Sequence, residues 1–253
     1  MNFVDRGTGP AVVFQHGLGG DETQVAEVFP DADGRWRRLT LDCRGQGGSP
    51  PDRQDRYGIR IFAEDVLRLA DERQVERFTM GGISMGAAIA LHIAVHHPGR
   101  VTALILARPA WLFEAAPATM APYAEVARLL ATPDGLATFD AGETAARLAR
   151  DAPGNLGSLR GFFARPNPQA TAALLGAIAA DGPGVTRAQA TALAVPTLVI
   201  GHGRDLVHPL AYAESLAATI PGAELVEITP KATDAARHAD EFRSALRRFL
   251  TSL

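Results

Sequence analysis

Apolar residues recur along this chain in two rhythms. Short β-rich runs occupy positions 2–5, 11–15, 37–42, 77–80, 101–106, 197–201 and 225–228, and several of them are continuous apolar stretches, the pattern of strands covered on both faces of a parallel sheet. Between them the spacing predicts an amphipathic helix over 61–73, a second over 85–97 stopped by Pro98-Gly99, and a C-terminal helix over 239–250. Strand and helix signals alternate at both ends of the chain. That alternation predicts βαβ units, hence an α/β fold with a mostly parallel central sheet flanked by helices. From 109 to 194 the strand pattern stops, and stretches such as 121–131 and 169–180 are broken by Pro and Gly clusters, which predicts a helical cap inserted into the sheet. No repeat or linker-like tract divides the sequence, so residues 1–253 are expected to form a single domain carrying that cap.

Composition narrows the classes of function. With 47% hydrophobic and 21% charged residues the chain is globular in type and can bury a core without disulfides. A net charge of −3 supplies no field toward nucleic acid or anionic membrane, and no apolar run reaches the length of a membrane span; neither partner is expected. The one cysteine, Cys43, allows no intramolecular disulfide and no zinc-ligand pattern. The opening MNFVDRGTGP lacks the basic and then apolar regions of a signal peptide, so the expected setting is the cytoplasm. Lys231 is the sole lysine and therefore the only Schiff-base candidate.

The chemistry concentrates at RFTMGGISMGAAIAL, where an apolar strand runs through Gly82-Ile83-Ser84-Met85-Gly86 into an Ala-rich helix. This is a G-x-S-x-G elbow in a strand–turn–helix setting; so sharp a turn needs small residues two positions either side of the serine. Ser84 then stands at a helix N-terminus, where backbone amides and the helix dipole favour developing negative charge, and Met85 N–H becomes an oxyanion donor. The plainer reading is a tightly packed turn in which Ser84 caps the helix.

A second element, Phe14-Gln15-His16-Gly17-Leu18-Gly19-Gly20, ends a buried strand in a glycine-rich loop. With His16-Gly17, the Asp42–Ser49 loop, the GISMG elbow and the later Gly201-His202-Gly203-Arg204-Asp205, in that order and approximate spacing, the chain resembles the α/β-hydrolase family over almost its whole length, least in the cap. The resemblance implies that Leu18 N–H joins Met85 N–H in an oxyanion hole and that His16 shapes the loop. The Asp42–Ser49 loop reads as a compact structural turn.

A serine hydroxyl needs an imidazole to take its proton and an acid to orient that imidazole. Asp205 follows the apolar strand at 197–201, at the carboxyl end where sites form in open α/β sheets, and the resemblance implies an acid there too. The alternative is a loop Asp making a local turn. His202 and His208 flank it and read as loop residues, His208 being followed by Pro209. The base departs from the family: the usual Gly-His after the last strand is replaced by Thr229-Pro230-Lys231-Ala232-Thr233-Asp234, and the only histidine downstream is His238. Triad order Ser, Asp, His makes His238 the expected base, with an exposed position near the start of the last helix as the other reading.

His92 and His96, four apart, lack a carboxylate or cysteine to complete a metal face, and the glycine clusters at 17–20 and 81–86 have neither dinucleotide nor P-loop spacing. No cofactor or metal is expected. Trp111, Phe113, Met120, Phe162 and Phe163 fall in the cap, where they either line an acyl or ring pocket or pack the cap itself. Two functions stand at this point. One is a cofactor-independent serine hydrolase cleaving a small carboxylic ester, lactone or related acyl compound through Ser84, Asp205 and His238. The other is a ligand-binding or signalling relative that keeps the pocket without a working base.

Overall fold

The computed structural model describes residues 1–30, 34–52 and 54–253. Strands β1 (Phe3–Arg6), β2 (Ala11–Gln15), β3 (Arg37–Leu41), β4 (Phe78–Ile83), β5 (Val101–Ala107), β6 (Thr197–Gly201) and β7 (Glu224–Glu227) form one sheet in the order β1-β3-β2-β4-β5-β6-β7. β1 runs antiparallel to β3, with Phe3 opposite Leu41, and the other neighbouring pairs are parallel. All seven expected strands are present. β4 extends through Gly81-Gly82 to Ile83, beyond its expected end at 80, because those residues pair with β2 on one side and β5 on the other. Two flanking ladders override the weak strand preference of glycine.

Helices α1 (Glu22–Val28) and α11 (Ala235–Ser252) cover one face of the sheet, and α2 (Ile59–Glu72) and α3 (Met85–His96) cover the other. The period of two along β2 divides the cores accordingly: Val12 and Phe14 pack toward the first pair and Val13 toward the second. In α2 the buried Ile59, Phe62, Ala63, Val66 and Ala70 fall on one stripe, the helical spacing that predicted it. α3 is buried from Met85 to Ala94, as a helix pressed into the centre of a sheet must be. Helix α11 starts four residues before its expected position, because the Asp234 side chain accepts the Arg237 amide and caps it. α10 (Leu210–Thr219), after the β6 loop, and α1 lie outside the helices read from the sequence.

Between β5 and β6 the described residues form helices and no strand: α4 (Ala121–Leu129), α5 (Gly135–Asp140), α6 (Glu143–Asp151), α7 (Pro153–Gly161), α8 (Pro168–Ala180) and α9 (Arg187–Thr191). α4 packs on α8, consistent with a cap, whereas α9 lies against α3 and α10 on the body. The return from α8 is fastened at several points. The Asp181 carboxylate accepts the Ile59 amide at the start of α2, its carbonyl accepts Trp111 Nε1–H, and His92 and His96 bond the Pro183 and Gly184 carbonyls. The two histidines thus tie α3 to this return, and among the described residues no cluster of three or more His, Cys, Asp or Glu is arranged to hold a metal. No helix of the described residues is long and apolar enough to cross a membrane.

Candidate active site

The turn from β4 into α3 holds Ser84 at φ +55°, ψ −109°, a left-handed backbone that a non-glycine residue adopts only under constraint from its surroundings. Those surroundings require glycine on both sides. A Cβ at Gly82 would lie 2.4 Å from the Gly86 carbonyl carbon, and one at Gly86 would lie 2.3 Å from the Gln15 oxygen. Both obstacles are backbone, so relief needs the strand or helix to shift. Gly86→Ala is expected to lower stability by about 2–3 kcal/mol, read as a lower urea midpoint with unchanged slope.

The loop after β2 is fixed by its own amides. His16 is fully buried; its Nε2 accepts the Cys43 amide at 3.0 Å, so Nδ1 carries the proton and donates to the Gly17 carbonyl at 2.8 Å. Burial holds this imidazole below its usual pKa, and with both nitrogens engaged it shapes the loop and has no proton to move. Gly17 N–H donates to Gln24 Oε1 at 2.7 Å, Gly19 N–H to Gln46 Oε1 at 2.7 Å, and Gly20 N–H to the Gly17 carbonyl at 2.9 Å. Among the described residues no acceptor takes the amide hydrogens of Leu18 or Met85. The Asp42–Ser49 loop does more than turn: through Gln46 it fastens the glycine loop beside Ser84.

The imidazole that meets Ser84 is that of His208, and not that of His238. His208 Nε2 lies 2.8 Å from Ser84 Oγ, while its Nδ1 lies 3.0 and 2.9 Å from the two carboxylate oxygens of Asp205. Two acceptors at Nδ1 fix the proton there, which leaves the Nε2 lone pair facing the serine hydroxyl. A residue three positions after the acid can reach both because Asp205 Oδ1 also accepts the amides of Val207 and His208, at 3.1 and 2.9 Å, folding the loop back on its own carboxylate. Asn155, from α7, holds the Leu206 amide at 2.9 Å, and Pro209 leads directly into α10.

His238 is neither exposed nor on a free loop. The segment before it closes in a tight turn, with the Thr233 and Asp234 amides on the Pro230 carbonyl, and the Asp234 cap then places His238 on the first turn of α11. There its Nδ1 bonds the Thr229 carbonyl at 2.8 Å and its ring packs edge-on against His202 and Phe242. No hydrogen bond joins it to Ser84. A helix that begins four residues earlier than the apolar pattern showed leaves no slack for the loop to curl back.

Arg108, unmarked in the sequence, completes the cluster. It follows β5 at φ +47°, its amide donates to the Ile200 carbonyl, and its Nη2 donates to Asp205 Oδ2 at 2.7 Å. The same nitrogen sits 3.2 Å from His208 Nδ1; both carry hydrogens, so this contact is repulsive. Burial favours the neutral carboxyl of Asp205, yet His208 and Arg108 together hold it well below the usual carboxylate range. Burial pushes the His208 imidazole down, Asp205 opposes the shift and Arg108 adds to it, leaving the pKa below its ordinary value. His202, 3.8 Å from Asp205, is pushed down to about 4 by burial and then by Arg108. Its Nδ1 is engaged by the Gly203 carbonyl and its Nε2 has no partner.

A cleft of about 470 Å³ opens beside this group, with Ile83, Arg108, His202, Asp205, His238 and Phe242 in its wall. The size suits a small ligand. Above the glycine loop, Phe162 of the insertion approaches Gly19 and packs edge-on against Tyr123 of α4. Burial, with Asp205 next, pushes the Tyr123 phenol up to about 12, so it stays protonated.

Known proteins carry the same architecture. The enol-lactonase from Burkholderia xenovorans LB400 superposes with a TM-score of 0.74 at 28% identity, over 99% of this chain and 96% of that one. A hydrolase from Pseudomonas aeruginosa PA01 gives 0.69 at 25% identity, over 98% and 93%. Among sequence relatives, the Klebsiella pneumoniae protein named "Putative carbamate hydrolase RutD" is 27% identical over 227 residues, 87% of this chain and 82% of that protein. Its namesake in Rhizobium rhizogenes is 34% identical over 103 residues, which is 41% of this chain and 39% of the relative. The profile of the alpha/beta hydrolase fold matches residues 10–233, and the chain belongs to that family.

Proposed function

We propose that the protein is a cofactor-independent serine hydrolase that cleaves a small carboxylic ester or lactone through an acyl-enzyme on Ser84. The observation that carries this reading is the His208 imidazole, 2.8 Å from Ser84 Oγ on one nitrogen and held by Asp205 on the other. Kinship supports it as well: the family is one of hydrolases, and the Burkholderia relative is an enol-lactonase. In this reading Ser84 Oγ attacks the carbonyl carbon as His208 Nε2 takes its proton, and Asp205 stabilises the imidazolium. The oxyanion points to the Leu18 and Met85 amides, whose hydrogens are otherwise unclaimed. His208 then gives its proton to the departing alkoxide, and water, activated by the same nitrogen, releases the acid and frees Ser84. The insertion between β5 and β6 acts as the cap that shields these steps from bulk water.

A fluorophosphonate probe is expected to label the parent protein and not Ser84→Ala, and short p-nitrophenyl esters are expected to be turned over with the same dependence. Turnover that persists in Ser84→Ala would overturn the proposal. A further expectation concerns pH. The base works in its neutral form, so activity holds as pH falls until the lowered His208 pKa is crossed. Arg108→Gln removes a cation that depresses that pKa and also frees the full Asp205 charge to raise it. The acid limb of the pH profile of kcat/KM should move to higher pH; a limb that stays put or moves lower rejects this role for Arg108.

A further inference from the structure

The cleft beside Asp205 carries more positive than negative charge, although the chain as a whole is net −3. Its charged wall residues are Arg108, Arg204 and Lys231 against Glu27 and Asp205. Both carboxylates are engaged: Asp205 by Arg108, and Glu27 by Lys231 Nζ at 2.8 and 2.9 Å. Arg204 makes no ion pair or hydrogen bond among the described residues, and it is exposed at the rim. It also stands at φ +55° in the β6 loop, a left-handed position that favours glycine. A long cationic side chain at that position, one residue before the acid, fits a role that the local backbone does not explain.

Ser84 is not itself in the wall of the cleft, but two wall residues come close to it. Ile83 precedes Ser84, Gln24 holds the Gly17 amide, and a Cβ built on Gly17 would lie 3.4 Å from Ser84 Cβ and 3.5 Å from Gln24 Oε1. A substrate whose carbonyl sat at Ser84 could therefore extend its acyl chain along this wall toward Arg204. We infer that the acyl group of the substrate ends in a carboxylate, which Arg204 binds at the mouth of the cleft while its other end is held at Ser84. The inference rests on the hydrolase reading and narrows its substrate to an anionic acyl compound, the half-ester of a short dicarboxylic acid or a lactone bearing a free acid. An exposed guanidinium is screened by salt, so the preference is largest at low ionic strength.

The test compares two esters of equal chain length, mono-p-nitrophenyl glutarate and p-nitrophenyl valerate, which differ by a carboxylate in place of a methyl group. The parent protein is expected to prefer the glutarate in kcat/KM by about tenfold or more, mainly through KM, as a charge-assisted contact provides. Arg204→Gln should bring that ratio near one, and Arg204→Lys should keep part of it. Arg204→Gly, which the left-handed backbone favours, should match the Gln variant and guards against a folding defect. Reading the ratio cancels any general loss of rate. A parent ratio at or below one, or a ratio unchanged in the Gln and Gly variants, overturns the inference.

A binding arm separates this idea from the hydrolase reading. In Ser84→Ala protein, calorimetry should show monomethyl glutarate binding about tenfold tighter than dimethyl glutarate, with the difference lost when Arg204→Gln is added. Equal affinities overturn the carboxylate site. Selective binding in a protein whose parent turns over neither ester overturns hydrolysis alone and leaves the anion site standing.

Discussion

His208→Ala is expected to lower kcat/KM on p-nitrophenyl esters by about 10³-fold or more, while His238→Ala costs less than about tenfold. The scale follows from what an imidazole in contact with a nucleophile does: it takes the proton during attack and returns it to the leaving group, and without it only oxyanion stabilisation and binding remain. His208 Nε2 is 2.8 Å from Ser84 Oγ, whereas His238 has its Nδ1 on the Thr229 carbonyl and makes no bond to the serine. The variant should stay folded. Its loop keeps the Asp205 bonds to the Val207 amide and to Arg108, and the Asn155 bond to the Leu206 amide, so circular dichroism and the urea midpoint serve as controls. Should His238→Ala abolish turnover while His208→Ala retains it, the base is assigned to the wrong loop.

The two histidines show where sequence reasoning succeeds and where it stops. The inner strands, largely buried, are visible as apolar runs; the half-exposed edge strands β1 and β7 show only short β-rich segments; the elbow was legible because its glycines answer a local steric demand. The placement of an imidazole is not local in that sense. His238 stands in the right order along the chain, but the turn at 230–234 and the Asp234 cap carry it onto a helix. His208 reads as a loop residue because it flanks the acid and Pro209 follows it. The spacing Asp205-Leu206-Val207-His208-Pro209 did hold the clue, since an Asp that accepts the amides two and three residues on folds the third side chain back over its carboxylate. Arg108 gave no clue at all: its meeting with Asp205 depends on the pairing of β5 with β6, which no pattern around residue 108 reveals.

In the proposed mechanism the base and the acid share one turn. Where the two come from separate loops, their relative position depends on how those loops pack; here it is set by four residues and the two backbone amides that donate to the Asp205 carboxylate. Only the distance from that turn to Ser84 remains for the fold to hold. The contacts suited to holding it are the Arg108 bridge to β5 and the Asn155 bond to the insertion.

Asp205→Asn is expected to reduce kcat by about 10⁴-fold and also to lower stability by about 2–3 kcal/mol, two losses with separate origins. The kinetic loss comes from the tautomer. An amide nitrogen facing His208 Nδ1 donates to it, so the imidazole proton moves to Nε2, and a nitrogen already bearing hydrogen cannot take the proton of Ser84. Either orientation of the amide puts its nitrogen at one of the two positions that face His208 Nδ1, where it also meets a donor, the Val207 and His208 amides in one and Arg108 in the other. The stability loss comes from Arg108. Its guanidinium would be left without a counter-charge, a change that costs about 3–5 kcal/mol at a fully buried pair and less here, where the Arg108 side chain is 19% exposed. The carboxyl of Asp205 is held below its unfolded value, so it contributes stability above the ordinary carboxylate range and loses that contribution as pH falls. The gap in stability between parent and variant should therefore be constant near neutral pH and begin to narrow as pH falls below the ordinary carboxylate range. Adding Arg108→Met to Asp205→Asn separates the two effects: stability should recover while kcat stays low. Recovery of both would mean that Asp205 serves only to neutralise Arg108, and orientation of the imidazole would have to be sought elsewhere.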